Sequence, residues 1–287
     1  MSDLSYHQSP CVTERGPLKA EGQPSLYYRW APAESSRATV LILHGYGEHS
    51  GRYEHVLEAL VESGVSGLAI DYRGYGLAEG RRGCLRRFDE YLADALRGLK
   101  LAKHKKGADE PLFLLGHSQG GLLALRVAME EGLGLSGLLL SSPWLGMAMQ
   151  VPAWKQCIAR VASRLMPDFG LPSEIPKDWI TTDPEQVELA AADPLMVRRG
   201  SARWLTEIYG AQETVKAGLA SVTLPTLLMA AGDDRLVSTA ESRACFERLG
   251  ASDGTWKEYP GLRHELFNEV DRGRVFVDLT GWIRDRT

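Results

Sequence analysis

Three features of this 287-residue chain predict an α/β fold, with a mostly parallel central sheet flanked by helices. Short apolar runs of strand length alternate with amphipathic stretches of helical period. One strand–helix pair encloses Gly116-His117-Ser118-Gln119-Gly120, a G-x-S-x-G turn. A single long, proline-rich apolar stretch then interrupts the alternation, as an insertion would.

The elements follow in order. Residues 26–30 and 40–43 read as strands, and Val56, Leu57, Leu60 and Val61 then share one helical face. Residues 66–70 form a strand closing at Asp71, and Phe88, Tyr91, Leu92, Ala95 and Leu99 recur at helical spacing. Residues 111–115 run as a strand into the serine turn, and residues 121–128 continue as a helix. Strands at 136–141 and 222–231, a helix near 239–249, a strand at 255–259 and a last helix bearing Phe276, Leu279 and Ile283 complete the pattern. Such alternation builds a parallel sheet with right-handed crossovers, whose ligands bind beyond the carboxyl ends of the strands.

From Pro143 to about Gly200 no strand pattern is visible, and half of the 14 prolines fall there among large apolar residues. A stretch this long is a functional lid more often than a plain loop. The predicted organisation is a core from 1–142, a mainly helical cap or lid at 143–200 and a returning core at 201–287. Trp144, Leu145, Met147 and Leu171 are the expected pocket-lining residues of that lid, roofing the site with adaptable apolar surface.

Composition narrows the function classes. With 44% hydrophobic and 24% charged residues the chain is an ordinary globular protein. A net charge of −4 gives no reason to expect nucleic acid. The Arg81-Arg82 and Arg86-Arg87 pairs read as a solvated basic loop. Four widely spaced cysteines (Cys11, Cys84, Cys157 and Cys245) form neither a disulfide framework nor a metal site. The polar residues 1–7 carry no apolar signal segment, and no run reaches the roughly 18 apolar residues of a membrane span. A cytoplasmic protein is expected, with transient membrane-surface contact open to it only through the lid.

The chemistry centres on Ser118. Between a strand and a helix, G-x-S-x-G is a nucleophile elbow whose flanking glycines permit a tight, strained turn. A serine hydroxyl needs a base. Enzymes built on this elbow order their residues Ser, Asp or Glu, then His, and of seven histidines only His264 follows Ser118. The carboxylate comes from the turn Gly232-Asp233-Asp234-Arg235; Asp234 is favoured, with Asp233 assigned to the turn amides. Oxyanion donors are expected from the backbone of Gln119, at a helix start, and of Tyr46, in the turn His44-Gly45-Tyr46-Gly47. No metal or organic cofactor is needed.

Longer motifs carry a resemblance. The stretch from His44 to Tyr53 resembles the HGxGEHxxRY signature of the monoglyceride lipase and lysophospholipase branch of the α/β-hydrolases. Residues 71–80 resemble that branch's D-x-RGxGxSxG segment, and Asp193-Pro194-Leu195 a recurring DPL near the end of the lid. The resemblance covers nearly all of the chain past residue 20. It implies an α/β-hydrolase with a lid that cleaves single-chain lipid esters, foremost monoacylglycerol, through an acyl-enzyme on Ser118. A lysophospholipase, a broad carboxylesterase or thioesterase, and a non-catalytic binding protein of the same fold are the alternatives. Glu48, His49, Arg52 and Tyr53 match the signature as a cluster holding the oxyanion loop. Gln119 stands where Met is commoner, which is expected to turn a polar amide toward the pocket; Ala78 and Tyr75 also depart from the pattern.

Overall fold

A computed structural model describes residues 9–148, 153–172 and 175–287. Its strands are β1 (Glu14–Leu18), β2 (Leu26–Ala31), β3 (Thr39–Leu43), β4 (Ser66–Asp71), β5 (Leu112–His117), β6 (Gly137–Ser141), β7 (Gly170–Pro172), β8 (Arg199–Ser201), β9 (Thr226–Ala231) and β10 (Gly254–Tyr259). The helices are α1 (Glu54–Glu62), α2 (Asp89–Lys105), α3 (Gln119–Ala128), α4 (Ala153–Leu165), α5 (Pro184–Ala192), α6 (Ala202–Gly218), α7 (Thr239–Phe246) and α8 (Arg272–Arg284).

Among the described residues, eight strands form one sheet in the order β1-β2-β4-β3-β5-β6-β9-β10. The pairings from β4 to β10 are parallel, and β1 and β2 add an antiparallel edge. Strand β1 was not anticipated: Gly16 and Pro17 disguise it, and such residues are tolerated at a sheet edge. Strands β3 to β6 are buried along their whole length, as parallel strands covered on both faces must be.

The two-residue period sorts the core into layers. Leu41, Leu43 and Leu114 face the side covered by α2, α3 and α6, meeting Tyr91, Leu122 and Ile208. Val40, Ile42 and Leu115 face the side of α1 and α8, meeting Leu57, Leu60 and Leu279. The chain winds one way from β3 to β4 and the other way to β5. The crevice beyond the ends of β3 and β5 is therefore the topological switch point, where ligands of open α/β sheets bind.

The stretch after Trp144 is mostly helical but holds one short antiparallel pair, β7 with β8, too short to leave a sequence pattern. At its start the chain is stapled to the β9–α7 loop: Ala148 N–H donates to Leu236 O at 3.0 Å, Ser238 N–H to Gly146 O at 3.0 Å, and Met147 bridges Val237. At its end Val197 N–H donates to Gly47 O at 2.6 Å. The four arginines of the basic loop are exposed, and two of them make surface contacts, Arg81 with Asp168 and Arg82 with the Leu195 carbonyl. Among the described residues no helix is long and apolar enough to cross a membrane.

Candidate active site

Ser118 sits between β5 and α3 with φ 52° and ψ −115°, a left-handed conformation that few non-glycine residues adopt. Strain of this kind costs about 1–3 kcal/mol and persists only where the surroundings enforce it. Here the enforcement is visible. Ser118 N–H donates to Ser141 O at 3.0 Å, and Ser118 O accepts from Gly121 and Trp144 N–H at 2.9 Å. The flanking glycines are obligatory: a Cβ on Gly116 would lie 2.2 Å from Gly120 O, and one on Gly120 would lie 2.1 Å from Leu43 O.

His264 follows β10 on a loop that turns at Gly261 (φ 78°). Its Nδ1 lies 2.8 Å from Asp234 Oδ2. An ionised carboxylate only accepts, so Nδ1 carries the hydrogen and Nε2 remains the basic nitrogen. Burial alone would push the His264 imidazolium down, but the Asp234 charge and hydrogen bond outweigh it and hold the pKa above the usual histidine value. Burial likewise pushes the Asp234 carboxyl up, and its bond to His264 with two turn amides brings it below the ordinary range.

Both roles of the turn aspartates thus fall to one residue. Asp234 Oδ1 accepts from Leu236 and Val237 N–H, each at 2.9 Å, while Oδ2 meets the histidine. Asp233, expected to bind the turn amides, instead has a half-exposed side chain near Arg235 and Arg263.

Ser118 and His264 line one cavity of about 300 Å³. Its polar lining includes Glu48, His117 and Glu265, and its apolar walls include Trp144, Met147, Ile175, Trp204, Tyr209 and Leu236. Trp144 and Met147 thus stand where the sequence expects them, joined by a 3.0 Å contact from Nε1 to Sδ. Leu145 does not line the cavity; it is 1% exposed and packs in the core beneath. The side chain of Leu171 lies outside the described residues. Trp204, Leu205 and Tyr209 come from α6, which sequence reasoning missed. The spacing of Trp204, Ile208, Ala211 and Val215, all buried, was the available signal.

The loop after β3 passes close beneath the serine: a Cβ on Gly45 would lie 3.2 Å from Ser118 Cβ. Glu48 fixes that loop, accepting from Gly45 N–H at 2.5 Å, Tyr53 Oη at 2.8 Å and Arg52 Nη1 at 3.2 Å. The wholly buried Arg52 also grips Glu265, the residue after His264, at 2.7 and 2.8 Å. One guanidinium therefore bridges both carboxylates that line the cavity, one positive charge against two negative. His117 adds no charge, because burial and the nearby His264 push its pKa to about 3.

Tyr46 lines the same cavity as Ser118, and Gln119 follows Ser118 in the chain. Gln119 opens α3, so its N–H has no acceptor within the helix. Its side chain departs from expectation. The amide is fully buried, bonded to Tyr72 and Trp204, and does not enter the cavity. Among the described residues no group of three His, Cys, Asp or Glu side chains is placed to hold a metal ion.

A family model described as serine aminopeptidase, S33, matches residues 34–271. The chain is 34% identical over 263 residues to a monoacylglycerol lipase of Mycolicibacterium smegmatis, covering 90% of this chain and 92% of that protein. It is 32% identical over 246 residues to phospholipase YtpA of Bacillus subtilis, covering 85% and 94%. Among solved structures, a monoacylglycerol lipase of Paleococcus ferrophilus superposes with a TM-score of 0.82 at 27% identity, over 91% of this chain and 99% of that one.

Proposed function

The chain belongs to the serine aminopeptidase, S33, family, and from that premise we propose that it is a serine ester hydrolase whose substrate is monoacylglycerol. The observation that carries this reading is the 2.8 Å bond between His264 and Asp234 at the wall of a largely apolar cavity that also holds Ser118. The similarity to monoacylglycerol lipases supports the substrate.

In this mechanism Ser118 Oγ attacks the ester carbonyl while His264 Nε2 takes its proton. Asp234 keeps the imidazole in the correct tautomer and stabilises the imidazolium. The tetrahedral oxyanion rests on the N–H groups of Tyr46 and Gln119, each lowering the barrier by roughly 3 kcal/mol. His264 returns the proton to the departing glycerol oxygen. Water, deprotonated by the same imidazole, then releases the fatty acid and restores Ser118.

The walls suggest how the substrate lies. Trp144, Met147, Ile175, Trp204 and Tyr209 take the acyl chain. Glu48, His117 and Glu265 form the polar lining, which suits an uncharged diol. A phosphocholine head would bring its phosphate toward two carboxylates. The likeness to phospholipase YtpA keeps lysophospholipid hydrolysis as the second reading.

Residues 143–200 act as the lid. On α4 the residues Ile158, Val161 and Leu165 are 59%, 52% and 77% exposed, an outward apolar stripe continued by Met166 and Phe169. This stripe is the surface through which an otherwise cytoplasmic protein touches lipid.

The test pairs labelling with turnover. A fluorophosphonate probe labels the wild type and not Ser118→Ala, and only the wild type hydrolyses monoacylglycerol. Esters of one acyl chain with glycerol and with glycerophosphocholine then compare the two head groups. Equal turnover by Ser118→Ala defeats the mechanism, and preference for the phosphocholine ester defeats the substrate.

A further inference from the structure

Only the backbone N–H of residue 119 is needed for an oxyanion site, yet this chain buries a whole carboxamide there. Burying an amide is costly unless its hydrogen bonds are made, and both ends of Gln119 are used. Trp204 Nε1 is a pure donor and lies 3.0 Å from Gln119 Oε1, which fixes the orientation of the amide. Gln119 Nε2 then donates to Tyr72 Oη at 3.2 Å, and Tyr72 donates its own hydrogen to His44 O at 2.6 Å.

Both branches end on the loop that carries Tyr46. The His44 carbonyl lies two residues before Tyr46. The Trp204 indole stacks on the Tyr46 ring at 4.2 Å between centroids, with the planes 28° apart. The side chain of one oxyanion residue is thus braced against the other by a hydrogen-bonded branch through Tyr72 and an aromatic branch through Trp204. Only a group that donates and accepts at once closes both branches. A carboxamide does so; a thioether, an alkyl group or an ionised carboxylate does not.

We propose that the Gln119 side chain is a positioning residue: it sets the spacing of the Tyr46 and Gln119 N–H groups, with Trp204 and Tyr72 as its two struts. The proposal rests on the oxyanion assignment made above and gives the side chain of Gln119, which does not itself touch the substrate, a part in stabilising the transition state. Trp204 also lines the cavity, so the brace ties the acyl wall to the oxyanion loop.

The experiment compares the wild type with Gln119→Met, Trp204→Phe and the double variant, on one monoacylglycerol. The readouts are kcat, KM, melting temperature and inhibition by a trifluoromethyl ketone that mimics the tetrahedral intermediate. Gln119→Met lowers kcat about tenfold, less than the ~10²–10³ lost when an oxyanion donor is deleted, and leaves KM within about twofold. The ketone weakens by the same factor as kcat. Trp204→Phe keeps a stacked ring but loses the indole donor, and its loss in kcat does not add to that of Gln119→Met in the double variant. A lower melting temperature with unchanged kcat and ketone affinity overturns the proposal. So does a raised KM at constant kcat, which would make Gln119 part of the pocket wall. A wild type that turns over no ester defeats the underlying reading instead, so the two failures are distinguishable.

Discussion

His49 Nε2 lies 2.7 Å from Asp193 Oδ2, with both side chains fully buried and the two residues 144 positions apart in sequence. Because His49 Nδ1 accepts from Gly51 N–H at 3.1 Å, the ring hydrogen sits on Nε2 and points at the carboxylate. The contact joins the loop around Tyr46 to the end of the inserted segment. Asp193→Ala removes a buried acceptor that also takes the Leu195 N–H at 2.7 Å, and is expected to cost about 1–3 kcal/mol in chemical denaturation. Asp193→Asn keeps an oxygen acceptor and is expected to cost less. Equal stability of all three proteins would show the contact to be energetically idle.

The two adjacent aspartates separate cleanly by substitution. Asp234→Asn is expected to reduce kcat by about 10⁴, the loss seen when a histidine in such a relay loses its orienting carboxylate. Asp233→Asn, altering a half-exposed side chain, is expected to leave kcat within about threefold. Steady-state turnover of a p-nitrophenyl ester measures both.

The pH profile follows from His264. Only neutral imidazole accepts the Ser118 proton, and its pKa lies above the ordinary value, so kcat/KM falls toward acid with a midpoint above about 6.5. His117, near 3, contributes nothing to that limb. A histidine pKa raised by folding stabilises the protein fully below the unfolded value and loses that contribution as pH rises through the folded one. Asp234→Asn therefore moves the acid limb to lower pH and removes this share of the pH-dependence of stability. A midpoint unmoved by that substitution would assign the limb to another group.

Tyr209 lines the Ser118 cavity and also a recess of about 210 Å³ between α4 and α6, beside Arg160, Thr206 and Glu213. Truncation in Tyr209→Ala joins the two spaces. Turnover of long-chain monoacylglycerols is expected to rise relative to short ones by several-fold, on the order of 1 kcal/mol of added apolar contact. Tyr209→Phe, keeping the ring, leaves the chain-length profile as it was. A profile unchanged in the alanine variant places the end of the acyl path elsewhere.

The residues of the proposed relay were legible because the sequence signals for them are local. Gly116 and Gly120 announce the elbow, and only one histidine follows the serine. What escaped depends on distant packing. Whether the Gln119 side chain enters the cavity or the interior is decided by Tyr72 and Trp204, 47 and 85 residues away in sequence. Leu145 is indistinguishable in sequence from Trp144 and Met147, yet it packs into the core while its neighbours line the cavity. Strand β1 hid behind Gly16 and Pro17, and the pair β7–β8 spans three residues on each side, below the length at which alternation is visible.

The staple at Gly146 to Ala148 also limits how the segment after it could be exchanged. Its bonds to Leu236 and Ser238 splint the turn that presents Asp234, while Asp193 and Val197 anchor the other end. What lies between also holds the loop of His264: Glu265 N–H donates to Ile180 O at 2.8 Å and Thr181 Oγ1 to Asn268 O at 2.7 Å. A graft joined after Ala148 and before Asp193 would therefore have to supply those acceptors and donors again, and one cut closer to Trp144 would loosen the Asp234 turn as well.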